Sequence, residues 1–166
     1  MRSARSWLGA ALACAVVAVQ ADPAPADVDF VGKVSQGGAF EVQAGLLAVE
    51  KAVSPAVKSF AQQDAAEHET VNVALKKIAT SQHIVIAPSL APGLQDKLDA
   101  LRRLSGAAFD KAYVAEMADI HRTDEALFGS AAKTSGNPDV KTFAQQTDAV
   151  VKRHLELLAT LQPATN

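Results

Sequence analysis

Residues 54–63 read Ser-Pro-Ala-Val-Lys-Ser-Phe-Ala-Gln-Gln, and residues 137–146 read Asn-Pro-Asp-Val-Lys-Thr-Phe-Ala-Gln-Gln. Seven of the ten positions are identical. Each run opens with a residue that caps helices, followed by proline, which is typical of a helix start. A generic helix opening would account for part of the likeness. Its extent favours a duplicated helical hairpin with pseudo-twofold symmetry, in which the second and fourth helices are equivalent.

Apolar residues recur at helical spacing around these two runs. The pattern predicts four long helices, over residues 28–53, 54–79, 106–134 and 137–161. Short turns join the first to the second and the third to the fourth, so each pair is expected to form an antiparallel hairpin. Residues 80–93 break the pattern with prolines and a glycine, and a short helix is expected over residues 94–104. The sequence therefore predicts an all-α, ferritin-like antiparallel four-helix bundle with a long crossover between helices two and three.

The first 21 residues have the features of a secretory signal peptide. A basic start precedes an apolar run from Trp7 to Val19, shorter than the roughly 20 residues needed to span a bilayer. Small or slender residues at the end of the segment predict cleavage after Ala21. A retained membrane anchor fits the short run less well. A lipid on Cys14 also fits less well, because the apolar run continues past that residue.

Cleavage would leave a short leader over residues 22–27 and a bundle domain over residues 28–162. The chain without residues 1–21 would contain no cysteine, which suits an oxidising envelope compartment because no thiol remains to be oxidised. No later segment is long and apolar enough to cross a membrane. These features predict a periplasmic or otherwise exported protein.

Composition excludes several classes of protein. The chain has 166 residues, with 16 Lys and Arg against 18 Asp and Glu, so it is not a nucleic-acid binder that works through bulk positive charge. Its single cysteine excludes a disulfide framework and a cysteine zinc site. Hydrophobic residues make up 49 %, well above the level of disordered chains.

Four ionisable residues occupy inward positions at which the helical period calls for apolar ones. They are Glu41, His68, His121 and His154, one on each predicted long helix. Counted from the hairpin turns, Glu41 and His68 are nearly level, and so are His121 and His154. The two hairpins differ by three residues, about 4.5 Å along a helix. The four side chains are therefore expected to meet within about one turn of the same layer.

Burying an unpaired charge is costly, so this cluster needs partners. One interpretation is a single-metal site, since imidazoles and a carboxylate suit zinc, copper or iron. The other is a hydrogen-bonded network that shares protons without a metal. The residue types and their spacing are compatible with both interpretations. Tyr113 and Met117 lie on the same helical face as His121, where either could support the cluster from outside.

A di-iron centre of the ferritin type is not expected. Such a centre requires Glu-x-x-His on two helices, but Ala65, Ala118 and Val151 stand three residues before the three histidines. Glu67 and Glu116 lie away from the inward faces, which predicts that they belong to solvated surfaces.

The chain carries a set of motifs that extends beyond the cluster. They are Gln36-Gly37-Gly38 with Glu41-Val42 and Gly45, Val57-Lys58 with Phe60-Ala61 and His68, Leu104-Ser105-Gly106 with Phe109-Asp110, Tyr113, Met117 and His121, and Phe143-Ala144 with His154. Over residues 29–161 this set resembles the bacterial domain-of-unknown-function family 4142, whose members are often labelled membrane or outer-membrane proteins. The resemblance implies an exported, ferritin-like helical domain and supplies no activity. Asp64 departs from the family pattern, where a larger apolar residue such as methionine is expected. It either adds a carboxylate to the cluster or turns towards solvent.

Three functional hypotheses follow. The first is a bundle protein in metal handling or envelope stress protection, with Glu41, His68, His121 and His154 binding one metal ion. The second is a non-enzymatic structural or interaction protein whose buried histidines only specify packing. The third is a small metal-dependent redox enzyme with Tyr113 as a relay. Nothing in the sequence names a partner protein, an oligomeric state or a substrate.

Overall fold

The computed structural model describes residues 22–161 and contains five α-helices and no β-strand within that range. The helices are α1 (Pro25–Lys51), α2 (Pro55–Ser81), α3 (Pro92–Arg102), α4 (Gly106–Thr134) and α5 (Pro138–Leu161). The all-α prediction is confirmed. The proposed signal peptide and Cys14 lie outside the described residues. Among the helices of residues 22–161, none combines the length and apolar character needed to cross a membrane.

The two duplicated runs start α2 and α5 in the same way. The Ser54 side chain accepts a hydrogen bond from the backbone N–H of Val57 at 3.4 Å. Asn137 Oδ1 accepts from the backbone N–H of Asp139 at 2.9 Å and of Val140 at 3.2 Å. Each cap satisfies backbone donors that the first turn of a helix leaves free, and proline follows where no donor is needed.

The long helices pack as two antiparallel hairpins that lie side by side. Glu41 contacts His68, and Gly45 approaches Ala65, so residue numbers rise along α1 as they fall along α2. Contacts of α4 with α5 and with α1 also run antiparallel. The chain must therefore travel the length of the helices between the end of α2 and the start of α4. Residues 82–105 make that crossover, and α3 within it packs on α1 and α4.

Two hydrophobic cores fill the space between the hairpins, one towards each end. The first core includes Phe60, whose ring meets the ring of Tyr113 edge to face. The Tyr113 ring in turn stacks on Phe109. The second is built around Phe30, Phe128 and Phe143, whose rings contact one another edge to face. The buried polar cluster lies between these two cores, where Phe60 contacts the rings of His121 and His154.

Aspartates connect each hairpin turn to the opposite hairpin. Asp110 on α4 accepts hydrogen bonds from the backbone N–H groups of Val53 at 3.1 Å and Ser54 at 2.8 Å. Asp27 on α1 accepts from the hydroxyl of Ser135, in the turn after α4, at 2.8 Å. This second bond explains why α1 begins three residues before the predicted start. Part of the expected leader belongs to the helix and holds the α4–α5 turn.

Candidate metal centre

Three helices bring four metal-ligating side chains to one buried point. Asp64 and His68 lie one turn apart on α2, His121 comes from α4, and His154 comes from α5. Asp64, His121 and His154 are 0 % exposed and His68 is 2 % exposed. Each residue offers a ligand atom, and these four atoms all lie within 4.8 Å of one another. The cluster can therefore hold a metal ion.

The spacing of these atoms suits one small ion. Asp64 Oδ1 lies 3.2 Å from His121 Nε2, 3.1 Å from His154 Nδ1 and 3.6 Å from His68 Nε2. His121 Nε2 and His154 Nδ1 lie 3.0 Å apart. Ligands about 2.0–2.2 Å from a tetrahedral zinc ion are separated from one another by about 3.3–3.6 Å. These four distances are close to that range, and all four ligand atoms lie within 4.8 Å of one another.

The outer nitrogens of the histidines face oxygen acceptors. His121 Nδ1 donates to the backbone oxygen of Met117 at 2.8 Å, and His154 Nε2 donates to Glu67 Oε2 at 2.7 Å. His68 Nδ1 lies 3.1 Å from Glu41 Oε2. A backbone carbonyl and an ionised carboxylate only accept, so a proton of His121 and of His154 is assigned to the outer nitrogen of each ring. This second layer of contacts is the one that orients histidine ligands in metal sites.

The inner nitrogens consequently present lone pairs to the centre. His121 Nε2 and His154 Nδ1 face each other, and both face the carboxylate of Asp64. Neither Asp64 oxygen has a hydrogen-bond partner among the described residues, and neither does Nε2 of His68. Converging lone pairs repel one another and are costly to bury without a partner. A cation at the centre removes that cost, whether it is a metal ion or an added proton.

Asp64 lies where the sequence interpretation expected Glu41. Asp64 is fully buried, so its side chain does not turn towards solvent. The carboxylate of Glu41 instead approaches outer nitrogens, with Oε2 at 3.1 Å from His68 Nδ1 and Oε1 at 3.4 Å from His121 Nδ1. The helical period identified both side chains as inward. It did not show that Asp64, one turn before His68 on the same helix, reaches the centre first.

Burial and neighbouring charges divide the carboxyl groups into two kinds. Burial raises the pKa of Glu41, and the nearby carboxyl groups of Asp124 and Asp64 raise it further. Burial also raises the pKa of Asp124, to about 6. Burial acts in the same direction on Asp64, but when an added proton occupies the centre, hydrogen bonds from His121 and His154 outweigh burial and hold its pKa below the usual range. Asp64 is therefore the ionised carboxylate of the centre, as a metal ligand must be.

Burial also favours the neutral form of a histidine ligand. It lowers the pKa of His68 to about 4, partly with the help of His121 and His154 and against the opposing charge of Asp64. A neutral imidazole keeps the lone pair that binds a metal. His68 is therefore ready to bind a metal at neutral pH.

Glu67 lies at a partly exposed position, and it also contacts the cluster, which the sequence did not predict. Its side chain is 33 % exposed, and it accepts hydrogen bonds from His154 and Arg153 and from Gln63 at 3.2 Å. Burial tends to raise the pKa of this carboxyl, but the hydrogen bond with His154 lowers it overall. Glu67 directly precedes His68 on α2, so it lies at the border between the inward and outward faces of the helix. At that border the helical period does not predict which residues a side chain contacts.

The other residues predicted near the cluster have separate positions. Met117 contributes its backbone oxygen to His121, while its side chain packs in the first core. The Tyr113 ring stacks on Phe109, and its buried hydroxyl has no hydrogen-bond partner among residues 22–161. Burial raises the pKa of Tyr113, and the charges of Asp64 and Glu41 raise it further. Glu116 forms an ion pair with Lys97 of α3, away from the centre.

A family model, described as a domain of unknown function, DUF4142, matches residues 13–161. The chain belongs to the DUF4142 family. This finding confirms the resemblance seen in the sequence motifs. Because the match spans all five helices, the buried cluster is part of the DUF4142 domain of this chain and not an addition at its edge. No curated protein matches the chain.

Among solved structures, the chain is similar to the crystal structure of a DUF305 fragment from Deinococcus radiodurans. The superposition has a TM-score of 0.75 and 13 % sequence identity, and it covers 85 % of this chain and 97 % of that chain. At this identity the likeness concerns the helical fold alone.

Proposed function

We propose that this protein is an exported, ferritin-like four-helix-bundle protein that binds one transition-metal ion through Asp64, His68, His121 and His154. Three imidazoles and one carboxylate suit zinc, and also copper or iron. The observation that carries the proposal is the orientation of the histidines. Their outer nitrogens face oxygen acceptors, so their inner nitrogens and Asp64 Oδ1 converge on one point.

The proposed role is to hold or transfer the metal in the cell envelope, in metal handling or stress protection. All four ligands come from the protein and all are buried. Structural zinc sites use four protein ligands, whereas catalytic zinc sites leave one position for water or substrate. The donor set therefore favours binding over catalysis.

The test is the metal content of protein purified from the periplasm, not refolded, followed by zinc and copper titration of the stripped protein. We expect about one ion per chain. His154→Ala should abolish stoichiometric binding, because it removes one of the four ligands. The matched control is His83→Ala, since His83 is an exposed residue in the turn after α2. A purified protein that neither contains nor takes up a transition metal would refute the proposal.

A packing network is the second candidate, favoured by the 3.0 Å separation of His121 Nε2 and His154 Nδ1, which also suits a hydrogen bond with one added proton. Under this alternative, His154→Ala would lower the free energy of unfolding by about 1–3 kcal/mol without changing metal content. The titration above separates the two, because only the metal site predicts saturable binding by the unmodified chain.

Export rests on the sequence of residues 1–21. We propose cleavage after Ala21, which predicts a mature chain that starts at Asp22. The intact mass of the purified protein tests this directly. A diacylated or triacylated chain starting at Cys14 would instead indicate a lipid anchor.

A further inference from the structure

A groove separate from the buried cluster lies between α1, α3 and α4. Its volume is about 950 Å³, which is within the range of pockets that bind small organic molecules. Apolar side chains line most of it, including Phe40 of α1, Leu94 of α3, and Ile120 and Leu127 of α4. An occupant of this groove would bury an apolar body against three helices.

Most charged groups that line the groove already have partners. Lys33 pairs with Asp29 at 2.7 Å, and Lys97 pairs with Glu116. Asp119 accepts a hydrogen bond from Arg122, which does not line the groove. Because of these pairs, both lysines that line the groove are already neutralised by carboxylates, and no unpaired positive charge lines the part of the groove that the structure describes.

Asp124 is different. It is 6 % exposed and lines the groove, and no lysine or arginine forms an ion pair with it among residues 22–161. The groups that act on it are the imidazole of His121, the carboxyl group of Glu41 as a hydrogen-bonding neighbour, and the carboxyl group of Asp64. The groove therefore combines an apolar wall with an acidic group that no lysine or arginine pairs with in the described part of the chain.

We propose that the α1/α3/α4 groove binds a small amphipathic organic cation, an amine with an apolar body, whose ammonium group contacts Asp124. Charge complementarity argues for this occupant. The six charged groups that line the groove comprise two lysines and four carboxyl groups. A neutral or anionic molecule of the same shape would bring no positive charge to Asp124.

The test uses three probes of similar shape: naphthylethylamine, naphthylethanol and naphthylacetate. Their binding to the purified protein is measured by calorimetric titration. The amine should bind at least about tenfold more tightly than the alcohol, and the acid should bind most weakly. Asp124→Asn should reduce amine binding to the level of the alcohol. The matched control is Asp119→Asn on the same helix, which should leave the preference for the amine within about twofold, because Asp119 is already paired with Arg122.

A second variant tests the groove itself. A Cβ atom at Gly32, in the wall of the groove, would meet nothing within 4 Å. Gly32→Leu can therefore extend into the groove without disturbing helix packing, and it should weaken all three probes. Equal affinity for amine and alcohol, or an amine preference that survives Asp124→Asn, would overturn the proposal.

Discussion

The two hairpins repeat one structure, but the two layers of buried residues that this repeat relates differ in chemistry. Ser54 and Asn137 occupy equivalent cap positions, 83 residues apart. The same shift relates eight residues of the first core to eight residues of the second. The first core contains Ala48, Val57, Phe60, Ala61, Tyr113, Val114, Met117 and Leu158, and their equivalents in the second are Ala131, Val140, Phe143, Ala144, Phe30, Val31, Val34 and Leu75.

The metal centre has no such equivalent. The positions 83 residues from Asp64, His68, His121 and His154 hold Thr147, Val151, Gly38 and Val71. The structure thus packs the same helical layer twice, once with four metal-ligating groups and once with small or apolar residues. Because the second layer needs no histidines, helix packing does not explain why the first has them. The comparison favours a binding role for the cluster.

The largest effect on zinc-dependent stability should come from replacing the four metal-ligating residues with residues like those at the equivalent positions of the second layer. The variant Asp64→Thr, His68→Val, His121→Ala and His154→Val should keep its helical fold in EDTA, since the equivalent layer already packs with residues of this kind. Zinc should stabilise the unmodified chain by about 4 kcal/mol at a free concentration 1,000 times its Kd, and should not stabilise the variant. Thermal unfolding with zinc and with EDTA measures both. A variant that fails to fold in EDTA would show that the cluster serves packing.

The next effect is the pH dependence of the free energy of unfolding, measured on metal-free protein. The pKa of His68 is lowered to about 4, so the unfolded chain takes up its proton at higher pH than the folded one. Stability from this group rises with pH between about 4 and 6.5. The pKa of Asp124 is raised to about 6, so its contribution falls as pH rises between about 4 and 6.

These two opposite slopes can be separated by mutation. Asp124→Asn should make stability rise more steeply with pH, and His68→Val, which copies Val151, should make it fall or flatten. A two-unit shift corresponds to about 3 kcal/mol, so urea unfolding at pH 4.5 and 6.5 should distinguish the two variants. Identical pH profiles for both variants would contradict the assigned shifts.

A smaller effect concerns the aspartates at the turns, which are themselves equivalent under the 83-residue shift. Asp110 accepts two backbone hydrogen bonds, whereas Asp27 accepts one from a hydroxyl group. We expect Asp110→Ala to destabilise by about 2–3 kcal/mol and Asp27→Ala by about 1 kcal/mol. Chemical denaturation gives both values. Equal losses would mean that the two turns are held with equal strength despite the different contacts.

The sequence predicted the features of this fold that depend on the helical spacing of apolar residues and on the residues that cap helix starts. The four long helices, their hairpin pairing and the inward positions of the three histidines follow from apolar spacing and from the Ser-Pro and Asn-Pro starts. Which carboxylate reaches the centre did not follow, because Glu41 on α1 and Asp64 on α2 are both inward and the helical period does not show how far each side chain reaches. The contact of Glu67 with His154 joins residues on α2 and α5, so no local pattern could reveal it.

The smallest effect concerns two glycines that helix packing does not require, one in each hairpin. Gly32 and Gly129 are helical, and a Cβ atom at either would meet nothing within 4 Å. Their equivalents in the other hairpin are Ala115 and Leu46, both good helix formers. Gly32→Ala and Gly129→Ala should each raise the free energy of unfolding by about 0.5–1 kcal/mol, because alanine restricts the unfolded chain more than glycine does.

Gly45→Ala is the control for that gain, because the same substitution there meets atoms of α2. Its Cβ atom would lie 2.9 Å from the Cβ of Ala65 and 3.0 Å from the backbone oxygen of Ala61. Backbone cannot move aside as a flexible side chain does, so α1 and α2 would have to separate and stability should fall by about 1–3 kcal/mol. Urea unfolding of the three variants at neutral pH should therefore give two small gains and one loss. A gain at Gly45 would mean that α1 and α2 do not require this close contact, and that the likeness of the two hairpins extends to their packing distance.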